Sequence, residues 1–227
     1  SLPCAEVPPG EAADSYLRQL CLAGAHQRYD RIAQQVQDRL EHELRLIQRM
    51  QLADYFLLVA DAVRWSRKQN IICQGRGSAA TSLVAYLLGI TLADPLTHDL
   101  QVERFLNDCR QGYPDIDVDF PASDREQVIQ YLFQRYGRDH AALVCEFSTY
   151  RAASSVRDVA KALGYSHQKA QQFADRLDGR ASSTAEAGWT QIPRQVASLA
   201  QRLAGIPRHL ATHPGGMVFT RRALPKQ

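Results

Sequence analysis

Apolar residues along this chain follow two periods, and each change of period marks an element. After a proline-containing start, Ile32, Val36, Leu40, Leu44 and Ile47 recur at helical spacing in a charged background, which predicts one long amphipathic helix. A second helix is predicted through ADYFLLVADAVRWSRKQ, where Tyr55 to Val59, Val63 and Trp65 read as core rather than as a cofactor box. A short strand-like IICQ follows, then GRGS, then an apolar helix AATSLVAYLLGI. In GYPDIDVDF, Gly112 to Phe120, the period falls to two. Successive strand side chains point to opposite faces, so Asp115, Asp117 and Asp119 share one face and Ile116, Val118 and Phe120 the other.

Beyond that strand, SDREQVIQYLFQRYG opens on a serine cap candidate and closes on Gly137, giving a helix with Val128, Ile129, Leu132 and Phe133 inward. AALVCEFS is the next predicted strand. TYRAASSVRDVAKALGYSHQKAQQFADRLDG reads as two short helices around Gly164, with Arg151, Arg157, Lys161 and Lys169 exposed. RASSTAEAG is a polar connection, followed by a helix ending near Gly205 and a strand-like GGMVFT. No internal repeat is detected. The predicted class is α+β: a small sheet carrying the aspartates, with a helical excursion after Thr149.

Composition changes this picture little. The 227 residues suffice for one large domain or a domain with a smaller partner, and a formal net charge of +3 permits a nucleic-acid partner without demanding one. Cys4, Cys21, Cys73, Cys109 and Cys145 form no CxxC pair, so neither a zinc site nor a disulfide framework is suggested and a reducing cytoplasm is expected. No targeting pattern opens the chain, and no apolar run approaches the ~20 residues of a membrane span.

The aspartate row is the chemical puzzle. Aspartate is disfavoured in strands and neighbouring carboxylates repel, so either the face is simply solvated or a cation offsets the repulsion. Hard divalent ions such as magnesium take oxygen ligands, and two carboxylates side by side on a strand can bridge a pair of them. An EF-hand reading would use Asp115, Asp117 and Asp119 with Glu126 at the last ligand position, but its obligatory glycine is Phe120 here, followed by Pro121. GRGSAA matches the dinucleotide fingerprint GxGxxA between a strand and a helix. That fold needs an acidic residue ~20 positions on at the end of a second strand, and Asp94 falls instead in the proline-containing loop LADPLTH. A Walker GK[ST] is absent, and the glycines could equally serve a tight turn into a packed helix. Taken together, a Gly-Ser turn offering N–H groups to a triphosphate and a DxD strand offering carboxylates to its metals are the equipment of nucleotidyl transfer.

GRGSAATSLVAYLLGIT, VERFLN and PDIDVDF, in this order, resemble the palm of the bacterial C-family DNA polymerases, the polymerase III alpha subunits. YFLLVADAVRW and QVIQYLFQRYGRDHAALV extend the likeness over most of the chain from about Leu40 onward. TYRAASSVRDVAKALG and HPGGMVFT look more like the error-prone alpha subunit (ImuC type) of damage-induced mutagenesis than the main replicase.

The resemblance implies a polymerase-β-like nucleotidyltransferase palm, a small mixed sheet flanked by helices, with a helical thumb insertion. Residues 1–149 would be the first part of the palm with N-terminal helices, 150–205 the thumb, and 206–227 the return to the palm. By motif, Asp117 and Asp119 are the catalytic ligands of Mg²⁺ (or Mn²⁺ as substitute), with Asp115 at the strand entrance. Arg76, Gly77 and Ser78 fall on the triphosphate-binding turn. Arg104 and Arg110 are triphosphate contacts or, equally, surface salt-bridge partners. Arg151, Arg157, Lys161 and Lys169 would grip DNA, and His213, Gly215 and Gly216 match the family's HxGG loop.

The implied partners are primer-template DNA, deoxynucleoside triphosphates and other mutasome or replisome proteins, including the sliding clamp through regions outside this chain. The family's third palm carboxylate lies in a segment resembling KFDxLGL, which does not occur before the final TRRALPKQ; Glu146 is the internal candidate. Two functions follow: the catalytic core of an error-prone DNA polymerase, expected to be inactive as this piece alone, or a DNA-binding or assembly module retaining a relic site.

Overall fold

The structure is a computed structural model that describes residues 5–107, 113–177 and 185–225. The described residues are α+β, with helices dominant and two separate two-stranded sheets. They divide into two compact units, residues 1–142 with 218–227, and residues 143–217.

In the first unit, α1 (Ala13–Arg28), α2 (Gln34–Arg49) and α3 (Ala53–Lys68) surround a core centred on Leu17, Leu40, Ile47, Phe56, Leu83 and Phe105. α2 and α3 occupy the predicted positions. α1 was not anticipated: its buried positions are Leu17, Cys21, Gly24 and Ala25, and those after Leu17 are small and make no obvious apolar stripe. Gly24 explains the packing, because a Cβ there would lie only 2.1 Å from the carbonyl oxygen of Leu87. Only a residue without a side chain lets α1 approach that backbone so closely.

IICQ does not form the expected strand. β1 is Gln74–Arg76; upstream, Ile71 and Cys73 are buried and Ile72 is exposed. The single apolar helix expected after GRGS is also divided, into a 3₁₀ turn over Gly77–Thr81 and a short α4 (Leu83–Leu87). β2 (Asp117–Asp119) pairs antiparallel with β1 in the register Gln74↔Asp119, Gly75↔Val118 and Arg76↔Asp117. The sheet that carries the aspartates is therefore a two-stranded ribbon, not a mixed sheet. Its Gly75 N–H is engaged at 2.7 Å by the carbonyl of Ile90, in the loop after α4.

α5 (Arg125–Tyr136) buries Val128 and Leu132, and Gly137 ends it at φ +83°, where a glycine costs nothing. Ser123 does not cap this helix. Asp124 holds the cap position, and the Ser123 hydroxyl donates to its carboxylate instead.

β3 (Ala141–Thr149) pairs with β4 (Pro207–Phe219), a longer strand than GGMVFT alone predicts. The second unit places α6 (Ala152–Ala162), α7 (His167–Asp175), α8 (Ala185–Thr190) and α9 (Arg194–Leu203) around Val156, Ala160, Phe173 and Val196. α8 falls in part of what reads as a polar connection. Among the described residues no helix is long and apolar enough to cross a membrane.

Candidate nucleotide and metal site

The alternation read from DIDVDF holds in three dimensions. Ile116 and Val118 pack against the first unit's core while Asp115, Asp117 and Asp119 are exposed. The β-strand proper begins only at Asp117, so Asp115 stands just outside the ladder. Antiparallel pairing sets Arg76 directly opposite Asp117 and diagonal to Asp119, within reach of a long side chain. Its guanidinium spans both: Nε donates to Asp119 Oδ1 at 2.9 Å, and Nη1 lies 3.5 Å from Asp117 Oδ2. That bond to Asp119, then the charge of Asp117, raises the pKa of Arg76 further above its ordinary value. All three side chains are more than half exposed, so the pairing is screened by water.

Beneath the ribbon, Tyr55 accepts a hydrogen bond from the Ile116 N–H at 3.0 Å, anchoring the entry to the aspartate strand on α3. Burial is the main cause that pushes its phenol pKa up, with the charges of Asp115 and Asp117 adding to it.

Immediately after Arg76, Gly77 adopts φ +68° and turns the chain into the 3₁₀ segment. The nearest heavy atom to a Cβ at Gly77 would be Asp117 Oδ2 at 3.8 Å, so turn and carboxylate are neighbours across open space. Thr81 donates its hydroxyl to the Ser78 carbonyl at 2.8 Å, tightening the turn. The N-terminus of α4, however, is not available to an anion. Glu43 of α2, fully buried, accepts from the N–H groups of Leu83 (2.9 Å) and Val84 (3.0 Å), and Ser82 Oγ accepts from that of Ala85 at 3.1 Å. The N–H groups that open α4 are thus already engaged within the fold, and the Gly77–Ser78 turn lies upstream of them.

Glu43 and Tyr55 escaped the sequence reading. For Glu43 a signal existed: it falls at helical spacing from Val36, Leu40 and Ile47, a lone carboxylate in an apolar stripe. Tyr55 gave no signal beyond its place in an apolar run.

The remaining expected residues are dispersed. Arg104 is exposed at the end of a 3₁₀ turn, Val102–Arg104, and among the described residues shares no hydrogen bond or ion pair with the aspartates. Arg110 lies outside the described residues. In the second unit Arg151, Lys161 and Lys169 are exposed as expected, but Arg157 is half-buried, with its Nε donating to Gln171 Oε1 at 2.8 Å. Glu146 is exposed on β3, and His213 Nδ1 accepts the Gly215 N–H at 3.2 Å. A Cβ at Gly216 would meet the Val144 side chain at 2.9 Å, a close approach of β4 to β3.

Asp94 is engaged by Tyr29, Thr97 and the Leu96 N–H, which leaves it a loop-fixing residue and no ribose ligand. Among the described residues no three His, Cys, Asp or Glu side chains are arranged as a metal-binding group, so the EF-hand set has no counterpart. Magnesium, by contrast, characteristically uses one or two carboxylates and completes its shell with water and phosphate oxygens, a donor set that Asp117 and Asp119 fit.

Sequence comparison fixes the family: residues 15–227 match the bacterial DNA polymerase III alpha NTPase domain, and the chain belongs to that family. Among its relatives, an error-prone DNA polymerase of Mycolicibacterium paratuberculosis is 45% identical over 225 residues, covering 98% of this chain and 21% of the relative. An error-prone DNA polymerase of Cutibacterium acnes is 46% identical over 224 residues, covering 97% and 20%. The DNA polymerase III subunit alpha of Bacillus subtilis is 40% identical over 236 residues, covering 98% and 21%. The chain thus spans about a fifth of the length of these relatives.

Proposed function

We propose that this chain carries the nucleotidyl-transfer site of a template-directed DNA polymerase, which adds deoxynucleotides to a primer 3′ end during error-prone, damage-induced synthesis in the cytoplasm. The observation that carries the reading is the β1–β2 ribbon, which sets Asp117 and Asp119 on one exposed face beside the Gly77–Ser78 turn. Names of relatives that are error-prone DNA polymerases support the polymerase activity and the subtype.

In this reading residues 1–149 and 206–227 belong to a polymerase-β-like palm and 150–205 to a thumb. Asp117 and Asp119 hold Mg²⁺ or Mn²⁺, which when bound activates the primer hydroxyl and neutralises the triphosphate. The chain's own residues do the positioning. Tyr55 and the partly buried face of Ile116 and Val118 fix the strand, so the two carboxylates project together without reorganising. Arg76, Gly77 and Ser78 receive the triphosphate, with Arg104 and Arg110 as further contacts. Arg151, Lys161 and Lys169, with Arg157 in a packed supporting place, contact the phosphates of primer-template DNA. The clamp and other mutasome or replisome proteins would engage the rest of the full-length polymerase.

The test is manganese binding, read as loss of the free-ion electron paramagnetic resonance signal, in wild type and in Asp117→Asn/Asp119→Asn. Binding abolished in the double variant is expected; equal binding in both removes the site.

A further inference from the structure

Arg76 has two assignments that cannot hold at once. The nucleotidyl-transfer reading gives it to the triphosphate, yet its guanidinium lies across both carboxylates which that reading gives to the metal. We infer that Arg76 is the resident counter-ion of the Asp117–Asp119 pair and is displaced by the divalent cation, so that metal arrival frees it for the triphosphate. The inference rests on the nucleotidyl-transfer reading and adds an order of events to it.

Three observations support the exchange. First, the oxygens overlap: Asp119 Oδ1 and Asp117 Oδ2, the atoms facing Arg76, are hard donors on the one shared face of β2. A cation that takes both must evict the guanidinium, since like charges cannot share them. Second, eviction is inexpensive, because the side chains are 60%, 53% and 66% exposed and an ion pair so solvated is weak. Third, the backbone can stay fixed while the side chain swings. β1 is held by its ladder to β2 and by the Gly75 N–H to Ile90 bond, and the space beside Gly77 toward Asp117 is open.

The consequence is linkage. With no nucleotide present, Arg76 holds metal affinity down; once displaced, it offers the triphosphate a fork of donors that the apo protein keeps occupied. Each ligand therefore favours the other, and by reciprocity the coupling is equal in both directions.

The experiment uses two readouts on the purified protein. Manganese titrations compare wild type with Arg76→Ala and Arg76→Gln. Removal of a solvent-exposed competitor is expected to tighten Mn²⁺ by about two- to five-fold. In parallel, the Arg76 Nε–H resonance, assigned by its loss in Arg76→Lys, is followed during a Mg²⁺ titration. It is expected to move to the position it takes in Asp119→Asn, with the same midpoint as metal binding. Unchanged or weaker Mn²⁺ affinity in both Arg76 variants, or an Nε–H signal unmoved at saturating Mg²⁺, overturns the exchange. The Asp117→Asn/Asp119→Asn control separates the two ideas: if it abolishes Mn²⁺ binding, only the exchange has failed, and if it does not, the site has failed with it.

Discussion

Glu43 and Ser82, 39 residues apart in the chain, meet in the core with the serine hydroxyl donating to the carboxylate at 2.8 Å. The same carboxylate takes the N–H groups of Leu83 and Val84 and the Arg39 Nε at 2.7 Å, while Arg39 Nη2 donates to the carbonyls of Thr81 (3.1 Å) and Leu100 (2.9 Å). This network fixes the downstream end of the turn that carries Ser78. Removing Glu43 leaves buried donors unmet, and removing Arg39 leaves acceptors unmet.

Glu43→Ala is accordingly expected to destabilise the first unit by about 3–5 kcal/mol, the range for breaking a buried charged pair. Glu43→Gln should also destabilise, because its amide presents N–H groups to a site made of donors. Urea unfolding measures both. A Glu43→Ala protein within ~1 kcal/mol of wild type would show that the network adds no net stability.

Tyr55→Phe removes the acceptor of the Ile116 N–H and should cost about 0.5–1.5 kcal/mol. The sharper readout is local. Hydrogen exchange at Ile116 and Val118 should accelerate relative to the α2 and α3 amides, and an exchange pattern unchanged at those two positions would exclude Tyr55 as the strand's anchor.

The Tyr131 hydroxyl donates to Asp61 at 2.7 Å, and its ring stacks on Trp65 with centroids 4.3 Å apart. Burial first, then that bond, pushes the Tyr131 pKa up to about 12 from an ordinary 10.0. The sign follows from the folded value being the higher one: the contribution is complete below pH ~10 and is lost as pH climbs toward ~12, because the unfolded phenol ionises first. Trp65 fluorescence, recorded in a Trp189→Phe background, should report a transition in that window. Asp61→Asn should shift the transition downward.

DNA binding by the second unit should be sequence-independent and steeply salt-dependent. Each of Arg151→Ala, Lys161→Ala and Lys169→Ala should flatten the slope of log K against log salt by up to ~0.9, the value for one duplex phosphate contact. Arg157→Ala should flatten it less and lower stability more, since Gln171 holds its guanidinium. Fluorescence anisotropy with random-sequence duplexes makes the comparison, and four unchanged slopes would leave these residues a solvated face.

What was legible in the sequence was periodic. The stripe Val36, Leu40, Leu44, Ile47 gave α2, and the period-two run gave the exposed faces of Asp117 and Asp119, because burial acts on every repeat of such a pattern. What was missed depends on contacts between segments far apart in sequence. α1 hides because Gly24 and Ala25 do its packing by being small. The apolar run after GRGS breaks at Ser82 because Glu43 captures the N–H groups that follow, which propensity cannot anticipate. Arg76 read as part of a phosphate turn, and its place across the aspartates follows from strand register alone.

The β1–β2 ribbon also bears on how the site comes into being. Arg76 and Asp119 lie 43 residues apart in the chain, so neither GRGS nor DIDVDF can form the ribbon as an isolated peptide. Closing so long a loop has an entropic cost that the three-residue ladder alone cannot offset, and the ribbon waits on the collapse of Ile116 and Val118 onto the helices. A slip of one residue would turn the aspartates into that collapsing core and valine out to water. Ribbon assembly is thus expected to come late in folding with an all-or-none register, and a chain stalled before that step would have helices but no exposed Asp117–Asp119 face.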